Sequence, residues 1–136
     1  MSKKIVDQKL SEKGNENLAV VAFIFKEYKL LIGLRNYSER NKVWTVPGGR
    51  CDANETVEVT LRREVKEEVG IDNLNIEEFL GQVPGAKEGD ILYVFRVTTN
   101  PVPKNMEPHK FSEWKYCNLN KIPNNFINPK SLELIK

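Results

Sequence analysis

Three glutamates with helical spacing are the residues of this sequence best suited to chemistry. Glu64, Glu67 and Glu68 lie at positions i, i+3 and i+4. Because each residue of an α-helix advances by ~100°, their carboxylates fall within an arc of about 100°. Like charges this close repel one another, and a hard divalent cation such as Mg²⁺ relieves the repulsion, since it prefers carboxylate oxygens, water and phosphates as ligands. The spacing therefore predicts a metal-dependent enzyme that acts on phosphates.

The competing interpretation is a solvated helix face, the usual fate of charged runs. Neighbouring basic residues would then supply exposed ion pairs worth only ~0.3–0.5 kcal/mol each. Other residues at fixed positions argue against it: a turn at Pro47-Gly48-Gly49, then Glu55, and Arg63 directly before the first of the three glutamates. Together these features favour a site over an exposed face.

The same residues carry a resemblance to a known family. The segment from Gly49 to Ile71 resembles the Nudix box, G-x5-E-x7-R-E-U-x-E-E-x-G-U, in which U is aliphatic. Its fixed and aliphatic positions are all filled, by Gly49, Glu55, Arg63, Glu64, Val65, Glu67, Glu68, Gly70 and Ile71. The resemblance implies a Nudix hydrolase, which cleaves a nucleoside diphosphate linked to a further group. It also implies an α/β/α sandwich with a mixed β-sheet.

Metal ligands are expected on the helix and in the turn before it. Glu64 and Glu68, one turn apart, can converge on one cation, while Glu67 can bind a second cation or act as the general base. The family resemblance implies that the carbonyl group of Gly48 completes the metal shell, and a Gly-Gly turn permits the close approach this needs. Mg²⁺ is the expected metal, with Mn²⁺ as an alternative.

Two further box residues are expected to support these ligands. The resemblance implies that Arg63 pairs with the box glutamates and orients them. Glu55 precedes the helix, and we expect it to hold the loop through hydrogen bonds rather than to bind metal.

Outside the box, three residues are candidates for contact with metal or substrate. Glu107 lies in the loop that reaches toward the metals in several Nudix enzymes, so it is a candidate additional ligand. Arg35 ends a predicted strand and either lies near the phosphates or is a surface arginine. Trp114 either stacks on a nucleobase, worth ~1–3 kcal/mol, or belongs to the core, as alternating aromatic residues on a strand usually do. The only histidine, His109, is expected in an exposed loop.

A second resemblance addresses the substrate. Residues 103–110 read Pro-Lys-Asn-Met-Glu-Pro-His-Lys, with Trp114 downstream, and are similar to a segment of nucleoside triphosphate diphosphatases in the MutT-like branch. We therefore expect Mg²⁺-dependent hydrolysis of a (d)NTP, including modified forms, to the monophosphate and pyrophosphate. The alternatives are hydrolysis of ADP-ribose or of a dinucleoside polyphosphate, and a non-catalytic nucleotide-binding Nudix module. The retained box glutamates argue against the last of these.

Length and composition restrict the class of protein. Typical domains hold ~100–150 residues, so a chain of 136 residues is expected to form a single domain over residues 1–136. A net charge of +2 is too small to indicate binding to a nucleic-acid polymer. Neither a membrane span nor a secretory signal is visible. Cys51 and Cys117, the only cysteines, fit a cytoplasmic protein with reduced thiols. Whether the chain forms a homodimer stays open.

Hydrophobic patterning places the remaining elements. Apolar runs bounded by turn residues predict strands at 18–25, 30–35, 43–46, 76–83, 91–99 and 111–119. A helix is predicted between an N-cap, Thr56 or alternatively Asn54, and a C-terminal glycine, Gly70, and a second helix from about Pro129 to Lys136. Residues 1–16 predict either a short strand or a frayed arm. This order predicts an α/β fold in which a mixed sheet packs between helices.

Overall fold

A computed structural model describes residues 3–136 of the chain. Its helices and strands follow in the order α1 (Lys3–Leu10), β1 (Leu18–Lys26), β2 (Lys29–Asn36), β3 (Lys42–Thr45), β4 (Gly48–Arg50), α2 (Val57–Val69), β5 (Asn75–Pro84), β6 (Ile91–Thr98), β7 (Phe111–Asn118) and α3 (Pro129–Leu132). Short 3₁₀ turns follow β7 at Leu119–Lys121 and α3 at Glu133–Ile135.

Strand β1 lies at the centre of a mixed sheet. It pairs parallel with β6, from Leu18 opposite Ile91 to Ile24 opposite Val97, and antiparallel with β2 and β4. Strand β5 extends the sheet beyond β6, while β3 and β7 both pair with β2. A strand covered on both faces needs a nearly continuous apolar sequence, which is what residues 18–25 provide.

The core lies on both faces of the sheet. One buried cluster packs beneath α1 and α2 and includes Leu31, Leu61 and Phe95. The other includes Phe23, Trp44 and Phe126 and lies beneath the C-terminal segment. Helices therefore cover a mixed sheet, and the predicted α/β fold class is confirmed.

Helix α2 forms where the sequence predicts it, with both predicted caps. Thr56 has extended φ and ψ, and its hydroxyl accepts a hydrogen bond from the Val59 N–H at 3.3 Å. At the other end Gly70 adopts the left-handed conformation, with φ of 71°, and its N–H donates to the Lys66 carbonyl at 3.0 Å. A stripe of fully buried side chains fixes the helix on the sheet: Val57, Leu61, Val65 and Val69.

Two local predictions are wrong. Residues 3–10 form helix α1 rather than a strand or a frayed arm, because buried Val6 and Leu10, four residues apart, pack this segment against the sheet. Residues 1 and 2 of that prediction lie outside the described part of the chain. The second error is the Gly48–Gly49 turn, which is part of strand β4 because its backbone pairs with β1. Within residues 3–136, no helix has the length and apolar character needed to cross a membrane.

Two valines of α2 that differ in burial allow a controlled test of the packing. Val65 is fully buried, whereas Val59 on the same helix is 50 % exposed. Val65→Ala should lower the free energy of unfolding by about 2 kcal/mol, because it deletes buried carbon and leaves a cavity. Urea denaturation followed by circular dichroism measures this. Val59→Ala is the control and should stay within ~0.5 kcal/mol of the parent protein. Equal losses in the two variants would contradict the assigned burial.

Candidate active site

The glycine-rich strand β4 brings the backbone into contact with the acidic side of α2. A Cβ atom added to Gly49 would collide with the carboxyl group of Glu64. One residue earlier, the N–H of Gly48 donates to Oε1 of Glu68 at 2.8 Å. The glycines are thus needed for close approach. Gly48 thus lies beside Glu68 and Gly49 beside Glu64, while the expected role of the Gly48 carbonyl as a metal ligand stays a prediction.

Arg63 joins three carboxylates into one network. Its Nε and one terminal nitrogen donate to the two oxygens of Glu55 at 2.7 and 2.9 Å, a bidentate arrangement. The other terminal nitrogen donates to Glu64 at 3.2 Å and to Glu67 at 2.9 Å. The Thr60 hydroxyl also donates to Glu55 at 2.8 Å. The hydrogen bonds from Arg63, and to a lesser extent from Thr60, lower the pKa of Glu55 to about 2. In return, the carboxylates raise the pKa of Arg63. Glu55 is therefore ionised and fixed in place.

Glu68 is the most deeply buried carboxyl group of the site. Its residue is 6 % exposed. Burial raises its pKa to about 8, and the charges of Glu64 and Glu107 act in the same direction. The Gly48 N–H and the charge of Arg35 oppose that shift. Burial also raises the pKa of Glu64. A cluster of partly desolvated carboxyl groups faces inward here.

The loop after β6 docks on the end of α2 and carries Glu107 to this cluster. The N–H groups of Lys104 and Met106 donate to the carbonyls of Val69 and Glu68 at 2.9 and 3.1 Å. These carbonyls have no partner within the helix, so the loop completes the hydrogen bonding of its last turn. Glu107 lies close enough to influence the pKa values of both Glu64 and Glu68.

Asn105 holds this loop from within. Its side-chain nitrogen donates to the Phe111 carbonyl at 2.8 Å, and its oxygen accepts from the Glu107 N–H at 3.3 Å. The carboxylate of Glu107 pairs with Lys110 at 3.4 Å. Glu107 is thus fixed between the end of α2 and the start of β7.

Arg35 lies between aromatic rings at the end of β2. Its guanidinium carbon is 5.1 Å from the ring centre of Tyr37 and 5.4 Å from that of Phe111. Its Nε is buried and has no hydrogen-bond partner among the described residues. A buried donor without an acceptor is unfavourable.

The side chain of Trp114 contacts both the core and a cavity. It packs against the core cluster beneath α2 and also lines a cavity of about 200 Å³, together with Lys26, Tyr116 and the segment 99–103. Its ring lies against Gly33, where an added Cβ would come within 2.6 Å. Its indole nitrogen is the second buried donor without a partner among the described residues. Trp114 therefore packs against the core, as one of the two interpretations expected, and also lines a cavity, while its contact with a nucleobase stays a prediction.

The donor set of the site fits a hard divalent cation. Carboxyl groups from α2 and from the docked loop lie close enough to affect one another's pKa, one of them is buried with a raised pKa, and carboxylate oxygens are the ligands such a cation prefers. In the described part of the chain, no three Asp, Glu, His or Cys side chains already converge as a complete set of ligands. Arg63 instead pairs with Glu64 and Glu67.

The sequence analysis did not identify several residues that support the site. Tyr37 stacks on Arg35, Thr60 bonds Glu55, and Asn105 holds the loop of Glu107. Asn105 belongs to the segment 103–110 already singled out, but neither Tyr37 nor Thr60 lies at a position that would have signalled its contact. Gly33 carried a usable signal, because a glycine inside an apolar strand often marks close approach by another group. His109 is exposed, as expected, and Cys51 is buried with its thiol pKa raised by burial.

Sequence comparison gives a family match over most of the chain. A model of the NUDIX domain matches residues 16–136. A "MutT-like protein" of Streptomyces ambofaciens is 31 % identical over 80 residues, covering 59 % of this chain and 50 % of the relative, so the match spans half of the relative's length. The "RNA pyrophosphohydrolase" of Bartonella bacilliformis is 25 % identical over 124 residues, covering 75 % of this chain and 73 % of that protein.

Solved structures share the architecture. A MutT NUDIX hydrolase from Burkholderia pseudomallei superposes with a TM-score of 0.71 at 22 % identity, covering 88 % of this chain and 98 % of that one. A C. elegans Ap4A hydrolase gives a TM-score of 0.70 at 20 % identity, covering 86 % and 92 %. At this level of identity the similarity supports the fold.

The buried carboxyl group of Glu68 should make the stability of the metal-free protein depend on pH. Its pKa is about 8 in the folded protein and 4.5 ordinarily, so the folded state binds more protons than the unfolded state between these values. Stability therefore falls as pH rises through this window. Glu68→Gln should remove that slope and raise Tm more at pH 8 than at pH 5, measured by thermal unfolding in EDTA. Glu58→Gln, an exposed position on the same helix, is the control. The same Tm change at both pH values for Glu68→Gln would contradict the assignment.

Proposed function

The chain belongs to the NUDIX domain family of hydrolases, and from this premise we propose that it hydrolyses a nucleoside triphosphate to the monophosphate and pyrophosphate. The observation that carries the proposal is the docking of the loop 103–110 on α2, which brings Glu107 to the box carboxylates. This loop is the segment whose sequence resembles triphosphate diphosphatases. Its position therefore links the substrate-related motif to the hydrolytic one.

We propose that Glu64, Glu67, Glu68 and Glu107, with the carbonyl of Gly48, hold Mg²⁺ or Mn²⁺. When bound, such ions neutralise the diphosphate oxygens and acidify a water molecule. Arg63 keeps the carboxylates of Glu64 and Glu67 oriented through its charge-assisted hydrogen bonds.

Glu67 suits the role of general base or of ligand to a second cation. Its side chain is 50 % exposed, against 18 % for Glu64, so it has access to solvent. Its hydrogen bond to Arg63 at 2.9 Å limits its motion without burying it. A group that accepts a proton from water needs both access and orientation.

We propose that the nucleotide lies beside Arg35 and Trp114, whose side chains carry the two buried donors without a partner among the described residues. Arg35 would bind phosphate oxygens through its guanidinium group, which the rings of Tyr37 and Phe111 hold in place. The cavity lined by Trp114 and Tyr116 offers aromatic surface to a nucleobase, and the indole N–H of Trp114 lacks a partner among residues 3–136. An acceptor on the ligand would satisfy each donor.

Other features of the assignment are also proposals. We expect residues 1–136 to act as one domain in the cytoplasm on a small nucleotide, without a nucleic-acid polymer or membrane as partner. Hydrolysis of ADP-ribose or of a dinucleoside polyphosphate is the alternative. Structural neighbours named as an ADP-ribose pyrophosphatase and as an Ap4A hydrolase are the reason to keep both of these.

A substrate panel tests the reaction. The purified protein with Mg²⁺ or Mn²⁺ should release pyrophosphate and a monophosphate from at least one (d)NTP, identified by anion-exchange chromatography. ADP-ribose, dinucleoside polyphosphates and a 5′-triphosphorylated RNA are the comparison substrates. Faster turnover of any of these would replace the triphosphate assignment. Absence of turnover on the whole panel would favour a non-catalytic nucleotide-binding module.

Isosteric changes test the roles of the carboxylates. Glu68→Gln and Glu64→Gln should each lower kcat by several orders of magnitude, because they remove negative charge needed to hold the metal while keeping volume. Glu55→Gln should be milder, since Glu55 acts through Arg63. Steady-state kinetics on the best substrate of the panel measures the ranking, and Glu58→Gln serves as the control. A larger loss for Glu55→Gln than for Glu68→Gln would show that the two roles are exchanged.

A further inference from the structure

The N-terminal arm, residues 3–14, contacts the segment that carries the box, although the whole arm lies outside the family match, which begins at residue 16. The N–H of Gly14 donates to the carbonyl of Glu55 at 2.8 Å, and the carbonyl of Glu12 accepts from the N–H of Val57 at 2.8 Å. Lys13 and Thr56 form an antiparallel bridge between these two bonds. The arm is thus paired with the chain where it enters α2.

This pairing supplies a partner for the first N–H group of α2. The first N–H groups of a helix have no partner within it, and Val57 is the first residue of α2. Glu12 supplies the acceptor for that group, while Thr56 serves Val59. The start of the helix is therefore held by a segment distant in sequence from the helix itself.

The same contact fixes Glu55, the anchor of Arg63. The backbone of Glu55 is bound by Gly14, and its carboxylate is bound by Arg63 through two hydrogen bonds. Arg63 in turn binds Glu64 and Glu67. A continuous chain of hydrogen bonds therefore runs from the arm to the proposed metal ligands.

The arm is itself anchored to the sheet. The hydroxyl of Tyr93 on β6 donates to the Glu12 carboxylate at 2.6 Å. Lys9 pairs with Glu12 at 3.4 Å, and its ammonium group lies 5.0 Å from the ring centre of Tyr93. Val6 and Leu10 are buried in the core cluster beneath α2. The arm is thus fixed on the sheet, and it in turn holds the start of α2.

We propose that the arm is a positioning element for the active site, in which Gly14 and Glu12 set the placement of Glu55 and, through Arg63, that of Glu64 and Glu67. Gly14 is suited to this role because a Cβ there would collide with the carbonyl oxygen of Asp52 and lie 2.7 Å from the Cβ of Cys51. The inference rests on the proposed function for its catalytic consequence. Its structural consequence can be tested without substrate.

Gly14→Ala should separate the arm from the loop before α2. We expect about a tenfold loss in kcat and in Mn²⁺ affinity, with KM for the nucleotide nearly unchanged, since the variant disturbs the support of ligands and not the base pocket. Mn²⁺ affinity is measured by electron paramagnetic resonance titration. The Arg63 Nε–H signal in a ¹H–¹⁵N NMR spectrum, assigned with Arg63→Lys, should move toward that of a solvated arginine.

A matched variant separates positioning from loss of stability. Gly89→Ala strains a turn with φ of 87°, where an added Cβ meets no atom within 4 Å. It should lower Tm but leave the Arg63 signal and Mn²⁺ affinity at the values of the parent protein. If the Arg63 signal and the Mn²⁺ affinity of Gly14→Ala also equal those of the parent protein, the inference is overturned.

A second pair covers the case in which Gly14→Ala does not fold. Tyr93→Phe removes only the hydroxyl that binds Glu12, and Tyr28→Phe removes a hydroxyl from a side chain that is 83 % exposed. Tyr93→Phe should shift the Arg63 signal in the same direction as Gly14→Ala, by a smaller amount, while Tyr28→Phe should not. Identical spectra for the two tyrosine variants would overturn the inference. Should no nucleotide be hydrolysed, the proposed function fails, and the Arg63 signal and Mn²⁺ affinity still decide the role of the arm.

Discussion

The gathering of like charges is the constraint on which this structure depends. Glu64, Glu68 and Glu107 approach one another closely enough to shift pKa values, and burial opposes the ionisation of Glu64 and Glu68. Such an arrangement is unfavourable unless the remainder of the fold holds it together. Two features do so: the buried stripe of α2 keeps the helix on the sheet, and Arg63 balances the charge on one side of the cluster. On the side nearer Glu68, the Gly48 N–H and the charge of Arg35 favour the ionised form of its carboxyl group.

The two ends of α2 organise the site around it. Helix ends leave backbone groups without partners, and here those groups bind functional segments. The first N–H binds the N-terminal arm, and the carbonyls of Glu68 and Val69 bind the loop that carries Glu107. Both neighbouring segments are therefore joined to α2 by backbone hydrogen bonds. Single side chains add to this, since Gly14 leaves room for the close approach of the arm and Asn105 holds the loop.

The sequence predicts the local parts of this arrangement and misses the tertiary parts. Thr56 and Gly70 as caps of α2, and its apolar stripe, follow from rules that act within one helical turn or two. Strand β4 was missed because Gly48 and Gly49 have turn propensity, and only pairing with β1 makes them a strand. Helix α1 was missed because its eight residues bury only Val6 and Leu10, too short a periodic signal among lysines. The box spacing indicated which residues meet, whereas the partners of Arg35 and Trp114 depend on distant segments.

The residues proposed for catalysis and those proposed for substrate binding lie on different elements, so in this proposal the fold alone does not determine the substrate. The box carboxylates belong to α2 and contact β4, whereas the cavity at Trp114 is built from β1, β2, β7 and the segment 99–103. Solved structures at about 20 % identity share the layers of this fold, and one is named as a MutT hydrolase and another as an Ap4A hydrolase. A substitution in the second group of elements can change the shape of the cavity without moving Glu64 or Glu68. If the proposed site is right, the residues around Trp114 and Arg35, where two buried donors lack partners among the described residues, are the ones that select the substrate.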